Sequence, residues 1–314
     1  PLAQWGIETI RAPAVHALGN EGEGVVVASI DSGAQGTHES LKNNFRSENG
    51  WFDPAEGDKT PIDNDGHGTH TLGIIVGQTN GIGVAPKAKW IACKACTRTG
   101  CMFSDLIDCG NYAGCPTDID GKNPRCDLAP NLVSNSWGGD QGDTFFDEVM
   151  AAWRLVNIAP IFAIGNSGFS GCGTANSPGD SELAIGVGAT AFGEVLAHFS
   201  SLGPTLLGNR IKPDIAAPGA DIISAYPAGD RAYASMSGTS QACPHVAGIA
   251  ALLYAQNPNL TVEKLIDALT AGAQRTIAST GTNCGNVRED TYPNNHVGAG
   301  RADALASIQA TRTV

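Results

Sequence analysis

Residues 236–246 read Met-Ser-Gly-Thr-Ser-Gln-Ala-Cys-Pro-His-Val. Two serines, Ser237 and Ser240, stand three positions apart around a glycine, and an apolar, alanine-rich run continues to Gln256. That run predicts a long buried helix over 240–256. A serine at its head has two uses. It can cap the helix, or it can act as a nucleophile where backbone N–H groups and the helix dipole favour developing negative charge. The choice depends on partners elsewhere in the chain.

Outward from this stretch, short apolar runs alternate with helical patterns. Strands are predicted at 25–30, 90–93, 131–135, 160–164 and 184–188, and helices over 67–76, 144–156 and 261–271. The alternation implies an α/β fold of three layers, a mainly parallel twisted sheet with helices on both faces. No linker, repeat or low-complexity tract divides residues 1–314, so a single domain is expected. Sheets of this kind bind ligands outside the C-terminal ends of their strands. Asp31, Ser136-Trp137-Gly138 and Gly165-Asn166 all stand at predicted strand ends and together mark one candidate site. Gly186-Val-Gly188 looks like half of a dinucleotide fingerprint, but it lacks the third glycine and reads as a packed strand.

Composition narrows the function classes. A net charge of −12 argues against a nucleic-acid partner and suits a solvated acidic surface. No apolar run approaches the length needed to span a bilayer. Nine cysteines are present, six of them within 93–126. Cys93-Lys-Ala-Cys96 has the spacing of a zinc pair, but no second pair follows, and disulfides in an extracellular protein are the preferred reading. An odd number leaves at least one thiol unpaired, and spacing alone does not choose among the pairings. Cys243 is the expected free thiol, because it lies inside the apolar run at 242–255. The start, Pro1-Leu-Ala-Gln-Trp5, has neither Met nor a basic n-region, which suits a processed chain.

Acyl transfer by serine needs a hydroxyl, a base, an acid to orient the base, and donors for the oxyanion. Candidates occur in the order Asp31, His67, Ser240. That is not the Ser–Asp–His order of α/β-hydrolases, and Gly238-Thr-Ser-Gln-Ala242 lacks the second glycine of a nucleophile elbow. His245 follows Pro244 on the predicted helix of Ser240 and is expected to face elsewhere. With Asp31-Ser-Gly33, His67-Gly-Thr-His70, Gly165-Asn166, Gly238-Thr-Ser240 and Pro244-His-Val-Ala-Gly248 in this order, the chain resembles the subtilisin-like serine proteases over essentially its whole length. Trp51-Phe-Asp-Pro54, the 88–94 run, Asn135-Ser-Trp-Gly-Gly139, Gly171-Cys-Gly173 and Pro293-Asn-Asn295 resemble the bacillopeptidase F-like branch of that family.

The resemblance implies a secreted endopeptidase in which Ser240 is the nucleophile, His67 the general base and Asp31 the residue that orients it. Asn166 and the Ser240 N–H would hold the oxyanion; beside glycine, Asn166 also suits a left-handed turn. Ser136, Trp137 and Gly138 would pair with an extended peptide, with a core role as the alternative for Trp137. Gly139, Ala163, Ile164 and Gly165 would help wall the primary specificity pocket, with Asn176 on its far side. Small residues there imply broad specificity favouring large or apolar side chains.

Partners by resemblance are protein or peptide substrates and the chain's own propeptide, acting on a monomer. No cofactor is needed for the chemistry. The tight calcium site of subtilisins is expected to be absent, because the loop at 77–83 is short and Ser40 replaces an Asp ligand. Asp58, Asp63 and Asp65 are candidates for a hard cation, with a solvated turn the favoured alternative. The Cys-rich insertion at about 93–130 is expected to staple the cleft rim. Gln241 stands where the family usually carries Met, which removes an oxidation-sensitive site. A catalytically silent binding protein on the same scaffold is the alternative function.

Overall fold

A computed structural model describes residues 3–311. Two short helices, α1 (Trp5–Thr9) and α2 (Ala12–His16), precede β1 (Val26–Asp31) and β2 (Trp51–Phe52). Helix α3 (His67–Val76) leads to β3 (Lys89–Lys94), the small β4 (Cys96–Thr97) and β5 (Gly100–Cys101) hairpin, and α4 (Phe103–Gly114). Then come β6 (Leu132–Asn135), α5 (Asp147–Leu155), β7 (Ala159–Ala163), β8 (Ile185–Ala191), β9 (Val195–Leu196) and β10 (Ile215–Pro218). A second hairpin, β11 (Ile222–Tyr226) and β12 (Ala232–Met236), delivers the chain to α6 (Thr239–Gln256), followed by α7 (Val262–Ala271) and α8 (Ala304–Ala310).

Seven strands form the order β10-β8-β7-β6-β1-β3-β2, all paired in parallel, with β9 added antiparallel to β8. Successive strand residues point to opposite faces, and both faces are apolar. Val27, Trp90, Ala92, Leu132 and Ile161 pack with α3 and α6, while Ala28, Ile30, Ile91, Val133 and Phe162 pack with α4 and α5. This double burial is why the strands read as continuous apolar runs. Strand order turns at β1, with β3 on one side and β6 on the other, so the C-terminal ends of β1, β6 and β7 flank a crevice.

The expected elements are present within a residue or two at most ends. The helix expected at 144–156 is shorter, at Asp147–Leu155. The sequence reading had no place for β10, the β11–β12 hairpin or α4. All nine cysteines resolve: Cys93–Cys109, Cys96–Cys101, Cys115–Cys126 and Cys172–Cys284 are bridged, and Cys243 is a buried free thiol. Cys93 and Cys96 belong to different disulfides, which rules out the zinc pair. Among the described residues, no helix is long and apolar enough to cross a membrane.

Candidate active site

Asp31 ends β1 with its side chain on the α3 face. Its Oδ1 accepts from the Ser32 N–H at 2.7 Å and lies 2.7 Å from Nδ1 of His67. Thr71 Oγ1 donates to Oδ2 at 3.3 Å. With Nδ1–H donating to the carboxylate, the neutral ring keeps Nε2 free to accept a proton. His67 opens α3. The preceding Gly66 has φ +110°, and a Cβ there would meet the Tyr226 ring at 2.4 Å, so glycine is required.

No side chain of Gly66 can cap α3, and Asp63 does so instead. Its Oδ1 accepts from Gly66 N at 2.8 Å and Ser32 Oγ at 3.0 Å, and its Oδ2 from Thr69 N at 2.8 Å and Thr69 Oγ1 at 2.6 Å. A buried carboxylate so filled is a structural anchor. Burial disfavours the charged His67 ring, but the neighbouring Asp31, then Asp65 and Asp63, outweigh it and hold the imidazole above its usual range.

Ser240 is the second residue of α6. Pro244, four residues on, has no N–H, so the Ser240 carbonyl lacks its helical partner. Ser136 Oγ fills that place at 2.9 Å, and Ser240 Oγ donates to Ser136 O at 3.0 Å. This reciprocal pair ties the end of β6 to the head of α6. It also means that the Ser240 hydroxyl points at Ser136 rather than at His67. Asn166 Oδ1 accepts from Thr239 N at 2.8 Å and Thr239 Oγ1 at 3.0 Å. With its oxygen so held, Asn166 lines the cleft described next. The left-handed residue at this turn is Gly165 (φ +107°), where a Cβ would meet Asn176 Oδ1 at 2.1 Å.

These groups border a pocket of about 240 Å³ lined by Ser136, Trp137, Gly138, Gly139, Ala163, Gly165, Asn166, Asn176, Thr239 and Ser240. Ile164 is a correction. It is fully buried and packs toward Gly186, because it alternates with Ala163 across the sheet. The partly buried Trp137 ring packs on Phe145, Phe146 and Phe162 against the core on the α4–α5 face, and Trp137 also lines the pocket. Gly139 N donates to Ser177 O at 2.9 Å, and Asn176 Nδ2 to Gly139 O at 2.6 Å, fixing the outer wall. The sequence reading missed Thr71 and Thr239. Thr239 lies within the 238–240 motif and Thr71 just beyond the 67–70 motif, and neither carries a further signal.

The remaining candidates have other work. Asp58 pairs with Lys94, Asp63 caps α3, and Asp65 Oδ2 accepts from the His67 N–H at 3.3 Å, so the three do not gather around one point as ligands. Among the described residues, no group of three or more His, Cys, Asp or Glu side chains is arranged to hold a metal. Ser40 joins Thr79 and Tyr233 in a hydroxyl cluster. His70 Nε2–H donates to Ile222 O and Ala234 O, and burial lowers its pKa to about 4, so it ties α3 to the β11–β12 hairpin as a neutral ring. Burial does the same to His245, which donates to Gln241 O.

Residues 22–300 match the family model described as Subtilase family. Bacillopeptidase F of Bacillus subtilis (strain 168) is 38% identical over 326 aligned residues, covering 98% of this chain but 22% of that protein. Subtilisin NAT of Bacillus subtilis subsp. natto is 35% identical over 273 residues, 86% of this chain and 65% of its own. Thermitase of Thermoactinomyces vulgaris is 33% identical over 295 residues, covering 92% of this chain and 94% of the relative. The chain therefore spans about a fifth of the first relative and just under two thirds of the second.

Proposed function

The chain belongs to the subtilase family, and from that premise we propose that it is a secreted serine endopeptidase working as a monomeric, single peptidase unit. The observation that carries this reading is the 2.7 Å contact between Asp31 and His67 beside a pocket that Ser240 and Asn166 both line. Ser240 Oγ turns from Ser136 O to His67 Nε2 and attacks the peptide carbonyl carbon as Nε2 takes its proton. The oxyanion is held by the Asn166 amide and the Ser240 N–H at the head of α6. His67 then gives the proton to the departing amine, and water, activated by the same ring, releases the acyl group and regenerates Ser240. Asp31 keeps the proton of neutral His67 on Nδ1 and stabilises the imidazolium.

The pocket lining holds no charged side chain and three glycines. Neutral, large or apolar substrate side chains suit it, and the peptide backbone would run along Ser136 to Gly138. The chain's own propeptide is proposed as folding aid and inhibitor. The Ser240 hydroxyl bonded to Ser136 favours one alternative, a scaffold that binds without cleaving.

Fluorophosphonate labelling followed by peptide mapping separates the two. Stoichiometric label on Ser240, lost in His67→Ala, together with casein cleavage lost in Ser240→Ala, is the expected result. A folded protein that takes no label sinks the endopeptidase reading.

A further inference from the structure

Lys94 ends β3 in register beside Asp31 of β1. Its side chain is 1% exposed, and an ammonium so buried requires paired carboxylates. Three supply them: Glu56, Asp58 at 3.1 Å and Asp53 at 3.7 Å. All three lie on the acidic loop that leads into α3. Asp53 shapes this loop by accepting from Glu56 N at 2.8 Å and Asp58 N at 3.0 Å. Glu56 Oε2, which receives Lys94, also accepts from Asn64 Nδ2 at 3.2 Å. Asn64 stands between Asp63, the cap of α3, and Asp65, whose carboxylate accepts the His67 N–H. A continuous line of ionic and hydrogen-bonded contacts thus runs from Lys94 to the turn that presents His67.

We infer that Lys94 is a positioning residue for His67: its ammonium gathers the acidic loop as a bound cation would, and so fixes the start of α3 against the Asp31 end of β1. The charges at Asp53, Glu56 and Asp58 then have an internal counter-ion. The loop is tied to β3 because its cation is covalently part of that strand. A side chain that acts by holding a catalytic group in place should affect turnover more than substrate affinity.

The inference rests on the proposed triad, and the test keeps the two apart. The kcat and KM of a chromogenic peptide anilide are measured for wild type, Lys94→Met, Lys94→Arg and Asn64→Ala, normalised to active sites by fluorophosphonate titration, well below each melting temperature. Lys94→Met should lower kcat roughly tenfold or more with KM changed by less than about twofold. Lys94→Arg, which keeps the charge, should recover most of the loss. Asn64→Ala cuts only the Glu56–Asn64 link at an exposed residue, and should lower kcat roughly threefold at unchanged melting temperature. Wild type that neither labels nor turns over would remove the endopeptidase reading itself. An active wild type with unchanged kcat in Lys94→Met and Asn64→Ala overturns this inference alone. If Lys94→Met does not fold, Asn64→Ala decides: a fall in kcat at unaltered melting temperature supports the inference, and an unaltered kcat overturns it.

Discussion

The disulfides differ in the length of chain they close, and that difference sets a measurable order of stability. Cys172–Cys284 spans 112 residues and Cys96–Cys101 spans 5. In the chain-entropy description, a cross-link stabilises by restricting the unfolded chain, in proportion to the logarithm of loop length. At 25 °C the long loop is worth roughly 5 kcal/mol and the short one roughly 2 kcal/mol. Cys172 belongs to the loop that follows Asn166, and Cys284 is fully buried in the segment before α8. Removal of this bridge should therefore also loosen the arm that carries the proposed oxyanion donor. The perturbation is a pair of double variants, Cys172→Ala/Cys284→Ala and Cys96→Ala/Cys101→Ala, each in a Ser240→Ala background so that unfolded chains are not digested. Guanidinium unfolding monitored by tryptophan fluorescence gives both losses. The expected gap is about 3 kcal/mol, with the 172–284 variant the weaker. Equal losses, or a larger loss for the 96–101 variant, would refute the loop-length reasoning and place the stabilisation in native contacts instead.

Asn166→Ala should reduce kcat by about 10²–10³ with KM little altered, the cost of losing one oxyanion donor in subtilisin; a fall of less than about fivefold would mean that the amide does not face the oxyanion. The proposed mechanism requires neutral His67, so activity should be lost as pH falls through the His67 pKa, which the surrounding carboxylates raise against the opposing effect of burial. Asp65→Asn removes one of those charges and should move the acidic limb of log(kcat/KM) to lower pH; an unmoved or raised limb contradicts the assignment. Burial pushes the Cys243 thiol up to about 12, so the native protein should resist an aromatic disulfide reagent and release one equivalent only on unfolding. Rapid reaction of the folded protein would show that the head of α6 opens.

Much of the candidate site was legible because its parts lie in short motifs at strand ends. Asp31 and Asn166 stand at predicted strand ends and His67 and Ser240 at predicted helix starts, and the resemblance to the family supplied the roles expected of them. Cys243 was legible for another reason, since a cysteine inside an alanine-rich buried helix has no partner within reach. Ile164 failed because its side chain turns away from the pocket and packs toward Gly186, a neighbour that spacing along the chain does not show. Asp58 and Asp63 looked like ligands because a run of acids carries no record of its counter-ions. Lys94, 36 residues from Asp58, supplies one, and the head of α3 supplies the other. The β11–β12 hairpin and α4 escaped the sequence reading; α4 lies inside the Cys-rich stretch, which was read for its cysteines.

By itself, the sequence determined a doubly covered parallel sheet, the strand ends at which polar residues collect, and the residue types available for acyl transfer. These are properties of short segments, set by local periodicity and by glycine and proline. The tertiary structure decided which distant groups meet: the disulfide pairing, the seating of Lys94 among three carboxylates, the cap that Asp63 lends to α3, and the exchange of hydrogen bonds between Ser136 and Ser240. Each of these joins residues that are neighbours only after the chain has folded. Their energies come from burial and mutual orientation, which spacing along the chain does not encode.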